Sequence, residues 1–223
     1  MGRERHHPPP EQLGPYILVQ SEELFKVSRD SLLLAEFATL RHRDRVFDLG
    51  CGVGVLGVSL ARRADDLVLD GTDILPGCVE LARENLARNG LTGTIWPLDV
   101  ADLPDRLPAG GYDLVIANPP YFPPGQGKTA SGARGMARSG QEGDFGPWCR
   151  GARWLLRNGG RFALCCRPWG LAALLAALTG NDLEPKRMQP VQSAPDRPAN
   201  LILLEAVAQG KPGLELLPVR IMR

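Results

Sequence analysis

Residues 46–54 read Val46-Phe47-Asp48-Leu49-Gly50-Cys51-Gly52-Val53-Gly54, and the reading of this stretch decides the fold. An apolar run carrying a carboxylate passes into a turn with glycine at alternate positions, and Val53–Arg62 continues with a helical apolar pattern. Glycines allow a tight turn and close approach of a ligand, and a helix starting just beyond presents free N–H groups. The spacing Gly52-x-Gly54-x-x-Gly57 matches a dinucleotide fingerprint, and a purely structural glycine turn also accounts for it.

Two carboxylates argue against a dinucleotide. Asp48, at the end of its strand, would repel a pyrophosphate and suits a cation. Asp73, in Gly71-Thr72-Asp73-Ile74, ends the next strand 25 residues later, where a carboxylate accepts from both hydroxyls of a ribose. A ribose, a positive amino group and no phosphate describe S-adenosylmethionine. Asp99, in Pro97-Leu98-Asp99-Val100, is then placed to accept from an adenine amino group. Helix capping by Asp73 and an ordinary turn at Asp99 stand as the structural alternatives.

Outward from this turn, strand and helix patterns alternate. Strands are expected at Arg45–Leu49, Leu67–Thr72, Gly93–Leu98, Tyr112–Ala117, Arg161–Cys166, Leu183–Gln189 and Asn200–Val207. Helices are expected at Val53–Arg62, Pro76–Asn89 with Gly90 as C-cap, Phe145–Leu156 and Pro168–Leu178. Asn158-Gly159-Gly160 reads as the turn into the fifth of these strands. Such alternation indicates a parallel sheet covered on both faces, an α/β fold. Upstream, Tyr16–Val27 reads as a hairpin turning at Ser21-Glu22-Glu23, and Asp30 as N-cap of the helix beginning at Ser31. The expected organisation is a flexible tail over 1–12, a hairpin and helix packed on the core over 13–44, and the core over 45–223.

Composition narrows the chemistry. The five cysteines lack C-x-x-C spacing and read as buried free thiols, with Cys165 and Cys166 facing opposite sides of a strand. No metal is expected. The longest apolar stretch, Leu171–Leu178, is too short to span a bilayer, and the start MGRERHHPPP has no hydrophobic segment of a secretory signal. A cytoplasmic protein is expected. Net charge is +1, yet Gln126–Arg161 holds Lys128, Arg134, Arg138, Arg150, Arg153, Arg157 and Arg161 against Glu142 and Asp144. That excess suits an anionic partner, or it is a solvated helix face with a loop.

Tyr112–Ala117 is followed by Asn118-Pro119-Pro120-Tyr121. Proline cannot donate to a sheet ladder, so the strand stops here. Asn118 offers an acceptor oxygen, a carbonyl of the proline pair offers another, and Tyr121 offers a flat face. Two rigidly held acceptors can grip both hydrogens of an exocyclic amino group while the ring stacks on a planar base. The three histidines, His6, His7 and His42, all precede the glycine turn, which leaves a hydrolytic triad without an imidazole at the sheet's catalytic edge.

VFDLGCGVG, GTDI and NPPY together resemble the motifs of class I S-adenosylmethionine-dependent methyltransferases that modify amino or amide nitrogens. More narrowly the chain resembles the bacterial tRNA1(Val) adenine-37 N6-methyltransferases, on Lys26–Ala35 (KVSRDSLLLA), NPPYF with its long loop, LLRNGGRFALCCRP and LILLEAVAQGKPGLEL. The resemblance implies a Rossmann-like, seven-stranded, mostly parallel sheet with its last strand antiparallel and helices on both faces. It implies a cofactor pocket lined by Asp48, Gly50, Cys51, Gly52, Asp73, Ile74, Asp99, Val100 and Asn118, with Lys26 and Asp30 closing one side. It implies a base held by Asn118, Pro119, Pro120 and Tyr121, and an RNA partner, tRNA in the narrower family, met through Lys128, Arg134, Arg138, Arg150, Arg153 and Arg157. A glutamine-N5 protein methyltransferase and a ribosomal RNA methyltransferase share the NPPY grip. A nicotinamide oxidoreductase fits the glycines but leaves Asp48 and NPPY unexplained.

Overall fold

Period-two alternation along the central strands sorts the core into two faces, and the elements follow from it. A computed structural model describes residues 9–21, 24, 27–120 and 144–222. In chain order these form β1 (Glu11–Leu13), β2 (Tyr16–Leu18), α1 (Arg29–Phe37), β3 (Arg45–Leu49), α2 (Val55–Ala61), β4 (Val68–Thr72) and α3 (Pro76–Arg88). They continue with β5 (Ile95–Trp96), α4 (Leu103–Arg106), β6 (Tyr112–Ala117), α5 (Gly146–Leu155), β7 (Leu156–Cys166), α6 (Leu171–Thr179), β8 (Leu183–Gln192) and β9 (Ala199–Ala208). Two short strands, β10 (Glu215–Leu216) and β11 (Arg220–Ile221), close the chain.

The sheet order is β5-β4-β3-β6-β7-β9-β8, with β10 and β11 both added to the outer edge of β8. All pairings are parallel except those of β9, which runs antiparallel between β7 and β8. The seven expected strands and the antiparallel last strand are therefore present, and the two-residue edge strands raise the count to nine. One face carries Val46, Leu69, Leu114, Ile116 and Cys165 against α1, α2 and α3. The other carries Phe47, Val115, Phe162, Leu164 and Cys166 against α5 and α6. Cys165 and Cys166 do face opposite sides, and all five cysteines are buried free thiols.

Several boundaries differ from expectation. A hairpin forms further upstream, β1–β2, turning at Gly14-Pro15, with its first two residues inside the stretch read as a tail; of the expected turn, Glu22 and Glu23 lie outside the described residues, and Leu24 N–H donates to Ser21 O at 3.3 Å. Gly14 takes a left-handed φ of 63°, which the turn requires and which glycine adopts without steric cost. The free edge of β2 is met by side chains instead of a third strand. Asn85 on α3 and Asn89, its C-cap one turn later, each exchange two hydrogen bonds with the β2 side, at Val19 and Ile17 respectively, all 2.7–2.9 Å long. Ser28, not Asp30, caps α1, its Oγ accepting from Ser31 N–H at 3.1 Å. The Asn158–Gly160 turn sits inside β7, where pairing with β6 jumps from Tyr112–Leu156 to Leu114–Arg161. The expected strand at Gly93–Leu98 is reduced to Ile95–Trp96.

Candidate active site

Leu49 on β3 and Ala117 on β6 are register partners in adjacent parallel strands. The residues that follow them, Gly50 and Asn118, therefore leave the sheet side by side, about one strand spacing (~4.8 Å) apart. The glycine turn and the proline-terminated strand end share one edge.

Gly50 and Gly52 hold left-handed φ values of 66° and 54°. A Cβ on Gly50 would lie 2.8 Å from the Trp148 ring, whereas one on Gly52 would meet open space. The turn is stapled to the tip of β4: Cys51 N–H donates to Thr72 O at 2.8 Å and Gly52 N–H to Asp73 Oδ2 at 2.9 Å. Asp73 Oδ1 accepts from Leu75 N–H at 2.9 Å, so the helix-entry role and the turn-anchoring role are both real. Thr72 Oγ1 donates to Leu98 O at 2.6 Å, which draws the chain leading to Asp99 onto the same edge. Asp99 caps the turn Val100–Asp102 through Ala101 N–H at 2.9 Å and stays half-buried, as does Val100. Ile74, next to Asp73 in sequence, is exposed.

Asp48 is 4% exposed, and neither carboxylate oxygen has a hydrogen-bond partner among the described residues. Burial holds its carboxyl well above the usual carboxylate range, and the nearby Asp73 carboxylate adds to the push. The Cys51 thiol is raised too, first by burial and then by Asp48 and Asp73. Asp73 is raised by burial, with the Leu75 and Gly52 N–H groups working against that shift. Burial thus favours the neutral form of each of these three groups beside the glycine turn.

On the other side, Asn118 is half-buried, Pro119 buried and Pro120 exposed. Asn118 Nδ2 donates to Ser31 Oγ at 2.9 Å and Ser28 Oγ at 3.3 Å, and its Oδ1 accepts from Cys165 Sγ at 3.2 Å. Tyr121, Lys26, Lys128, Arg134 and Arg138 lie outside the described residues. Asp30 pairs with Arg167 at 2.7 Å, at the end of β7, on the Asn118 side of the edge and two strands from the glycine turn. The basic run does not form one surface. Arg150 is exposed on α5 and Arg153 half-buried, but Arg157 pairs with Asp113 at 2.6 Å near the start of β6, the opposite end of the sheet. Arg161 is buried against Asp44 at 2.7 Å. Sequence reasoning missed Trp148, Ser28 and Ser31, although a Ser-x-x-Ser spacing at a helix start and an aromatic in the first turn of α5 were the available signals.

The profile of the methyltransferase small domain family matches residues 25–141. The chain belongs to that family. It is an S-adenosylmethionine-dependent methyltransferase, and the nicotinamide alternative falls away. The methyltransferase is 30% identical over 185 residues to a tRNA1(Val) (adenine(37)-N6)-methyltransferase of Parabacteroides distasonis, a match covering 82% of this chain and 77% of that protein. It is 37% identical over 103 residues to the protein of the same name from Pectobacterium carotovorum, covering 45% of this chain and 41% of that one. Among solved structures, a predicted O-methyltransferase, Atu636 from Agrobacterium tumefaciens, superposes with a TM-score of 0.71 at 24% identity, covering 86% of this chain and 87% of that one. That likeness concerns the fold. In the methyltransferase no described helix is long and apolar enough to cross a membrane, and no described group of three His, Cys, Asp or Glu residues is arranged to hold a metal ion.

Proposed function

We propose that the enzyme methylates the N6 amino group of an adenine in tRNA, in the cytoplasm, with the base held by Asn118, Pro119, Pro120 and Tyr121. The Leu49–Ala117 register carries this reading, because it sets the cofactor turn and the amine grip at neighbouring strand tips. The relatives of that activity support the choice of base and RNA.

The residues fit S-adenosylmethionine. Asp48 carries two buried carboxylate oxygens without a hydrogen-bond partner among the described residues, and an ammonium nearby would favour its ionised form. Each Asp73 oxygen already accepts one N–H, and a carboxylate oxygen has a second site, which leaves two for ribose hydroxyls. Open space over Gly52, the exposed Ile74 and the half-buried Asp99 and Val100 suit a nucleoside lying across the edge. Gly50 and Cys51 complete the floor. The cofactor supplies a methyl group on a cationic sulfur.

The chain's own task is to present the acceptor. Asn118 Oδ1 and a carbonyl of the Pro119-Pro120 pair take the two amino hydrogens, which turns the nitrogen lone pair away from the ring. Positioning and polar preorganisation are enough; no strong base is required. His42, the described histidine, is exposed beside Asp65 at the far end of the sheet. Arg150, Arg153 and the basic residues 128, 134 and 138 supply phosphate contacts, which add affinity without selecting a sequence. The glutamine-N5 and ribosomal RNA alternatives place the same grip on a different planar group.

Incubation of the purified protein with labelled methyl donor and unmodified tRNA, followed by nucleoside mass spectrometry, tests the reading. N6-methyladenosine is expected. Label appearing on guanine, or only on a release-factor protein or ribosomal RNA offered in parallel, would overturn it. Binding to tRNA should weaken steeply as salt rises.

A further inference from the structure

The amide of Asn118 is built into a polar network that the reaction itself does not explain. Ser28 Oγ accepts from Ser31 N–H at 3.1 Å and from Asn118 Nδ2 at 3.3 Å. A hydroxyl has two acceptor sites, so Ser28 has filled both and its O–H is left to donate to Ser31 Oγ, 3.0 Å away. Ser31 Oγ then accepts from Ser28 and from Asn118 Nδ2 at 2.9 Å. Both hydrogens of Nδ2 are directed at helix α1. On the other side Oδ1 accepts from Cys165 Sγ at 3.2 Å, and S–H is a weak donor.

Turning the amide over would undo this arrangement. Oδ1 would face two hydroxyls, Ser28 would have to abandon Ser31 to donate to it, and Nδ2 would turn towards the Cys165 sulfur, a weak acceptor. The hydroxyl pair therefore selects one of two isosteric orientations. Because Cys165 is fully buried and Ser31 nearly so, water does not readily replace either partner.

We propose that Ser31, backed by Ser28, is a positioning residue that fixes the carboxamide of Asn118 with its oxygen available to the substrate amine. It rests on the assignment of Asn118 as amine acceptor. The two hydroxyls belong to the N-terminal cap of α1, 87 to 90 residues upstream of Asn118. Segment 27–37 is thereby part of the catalytic apparatus as well as a cover for the sheet. The assignment of carboxamide oxygen and nitrogen follows from the hydrogen-bond network, as it must for asparagine.

Steady-state methyl transfer to tRNA is compared for wild type, Ser31→Ala, Ser31→Cys, Asn118→Ala and Ser31→Ala/Asn118→Ala. Ser31→Ala should lower kcat about five- to tenfold, the scale of one lost hydrogen bond at an oriented group, with KM for both substrates within about twofold. Ser31→Cys keeps the side chain's size, should melt with wild type, and should lose rate similarly because sulfur accepts weakly. In the Asn118→Ala background Ser31→Ala should change nothing further, since the group it positions is gone. Equal kcat in wild type and both Ser31 variants, or the same further loss in the double variant, overturns the inference while leaving Asn118 in place. Wild-type rates in Asn118→Ala overturn the assignment of Asn118 and the inference with it.

Discussion

Gly52 N–H donates to Asp73 Oδ2 at 2.9 Å, so the glycine turn after β3 and the acidic tip of β4 form one hydrogen-bonded unit. A side chain proposed to bind ribose also holds the backbone beneath it. Asp73→Ala should therefore weaken S-adenosylhomocysteine binding by about 10²-fold, the scale of two hydrogen bonds to a charged group, and lower the melting temperature as the Gly52 and Leu75 donors lose their acceptor. Calorimetric titration and thermal melting measure the two effects. Unchanged affinity would remove Asp73 from the site.

Asp48 makes stability depend on pH. Its folded carboxyl titrates above the unfolded value of about 4, so the folded chain keeps this proton longer than the unfolded one. The group's favourable contribution is complete below that unfolded value and is lost as pH rises through the raised folded one. Asp48→Asn should melt higher than wild type at about pH 8, with the gap closing towards about pH 4, while binding the cofactor more weakly. Ligand-free melts across that range decide it; a pH-independent gap would contradict the burial argument.

Asn118→Ala should reduce methyl transfer by about 10²-fold, as loss of a transition-state hydrogen-bonding group does, with cofactor affinity within about twofold. Single-turnover rates and a binding titration separate the two. Near-normal transfer would count against the amine grip.

Asn85 is fully buried and satisfies Val19 N–H, Val19 O and Val53 O at 2.8–2.9 Å. Asn85→Ala strands three main-chain groups at once, at a cost of about 3–5 kcal/mol in urea unfolding. A loss under about 1 kcal/mol would mean that water replaces the side chain.

Asp44 and Arg161 form a buried pair at the end of the sheet opposite the site. Asp44→Ala should cost about 3 kcal/mol by removing the salt-bridge partner of a buried guanidinium, whose remaining contact among the described residues is with Asp113. Transfer per folded molecule should stay at the wild-type rate, which a stopped assay normalised to folded fraction will show.

Much of the core was legible because its signals are local. Short apolar runs placed β3, β4, β6 and β9 within a residue or so, and Gly90, with a φ of 64°, ends the turn after α3 as a C-cap glycine should. The glycine turn, the carboxylates Asp48 and Asp73, and the strand end at Asn118 were visible for the same reason: each belongs to a strand tip whose neighbours in sequence announce it, whereas Asp99 lies beyond its shortened strand and caps the turn that follows. The hairpin β1–β2 was not legible because the free edge of β2 is met by the amides of Asn85 and Asn89, which leave no strand pattern to read.

Distance along the chain set the limit. Asp30 looked like a cap, but Ser28 caps the helix and Arg167, 137 residues away from Asp30, pairs with it; Arg157 was counted in one basic run, but Asp113 holds it at the opposite end of the sheet. Charge counts along a sequence do not reveal which end of a strand a charge will occupy. The residue types and their order determined a parallel sheet with a glycine turn, acidic tips and an amide at one edge. Only packing decided which side chains meet there, because the partners of Asn118 come from a helix cap and a strand that nothing nearby in sequence connects to it.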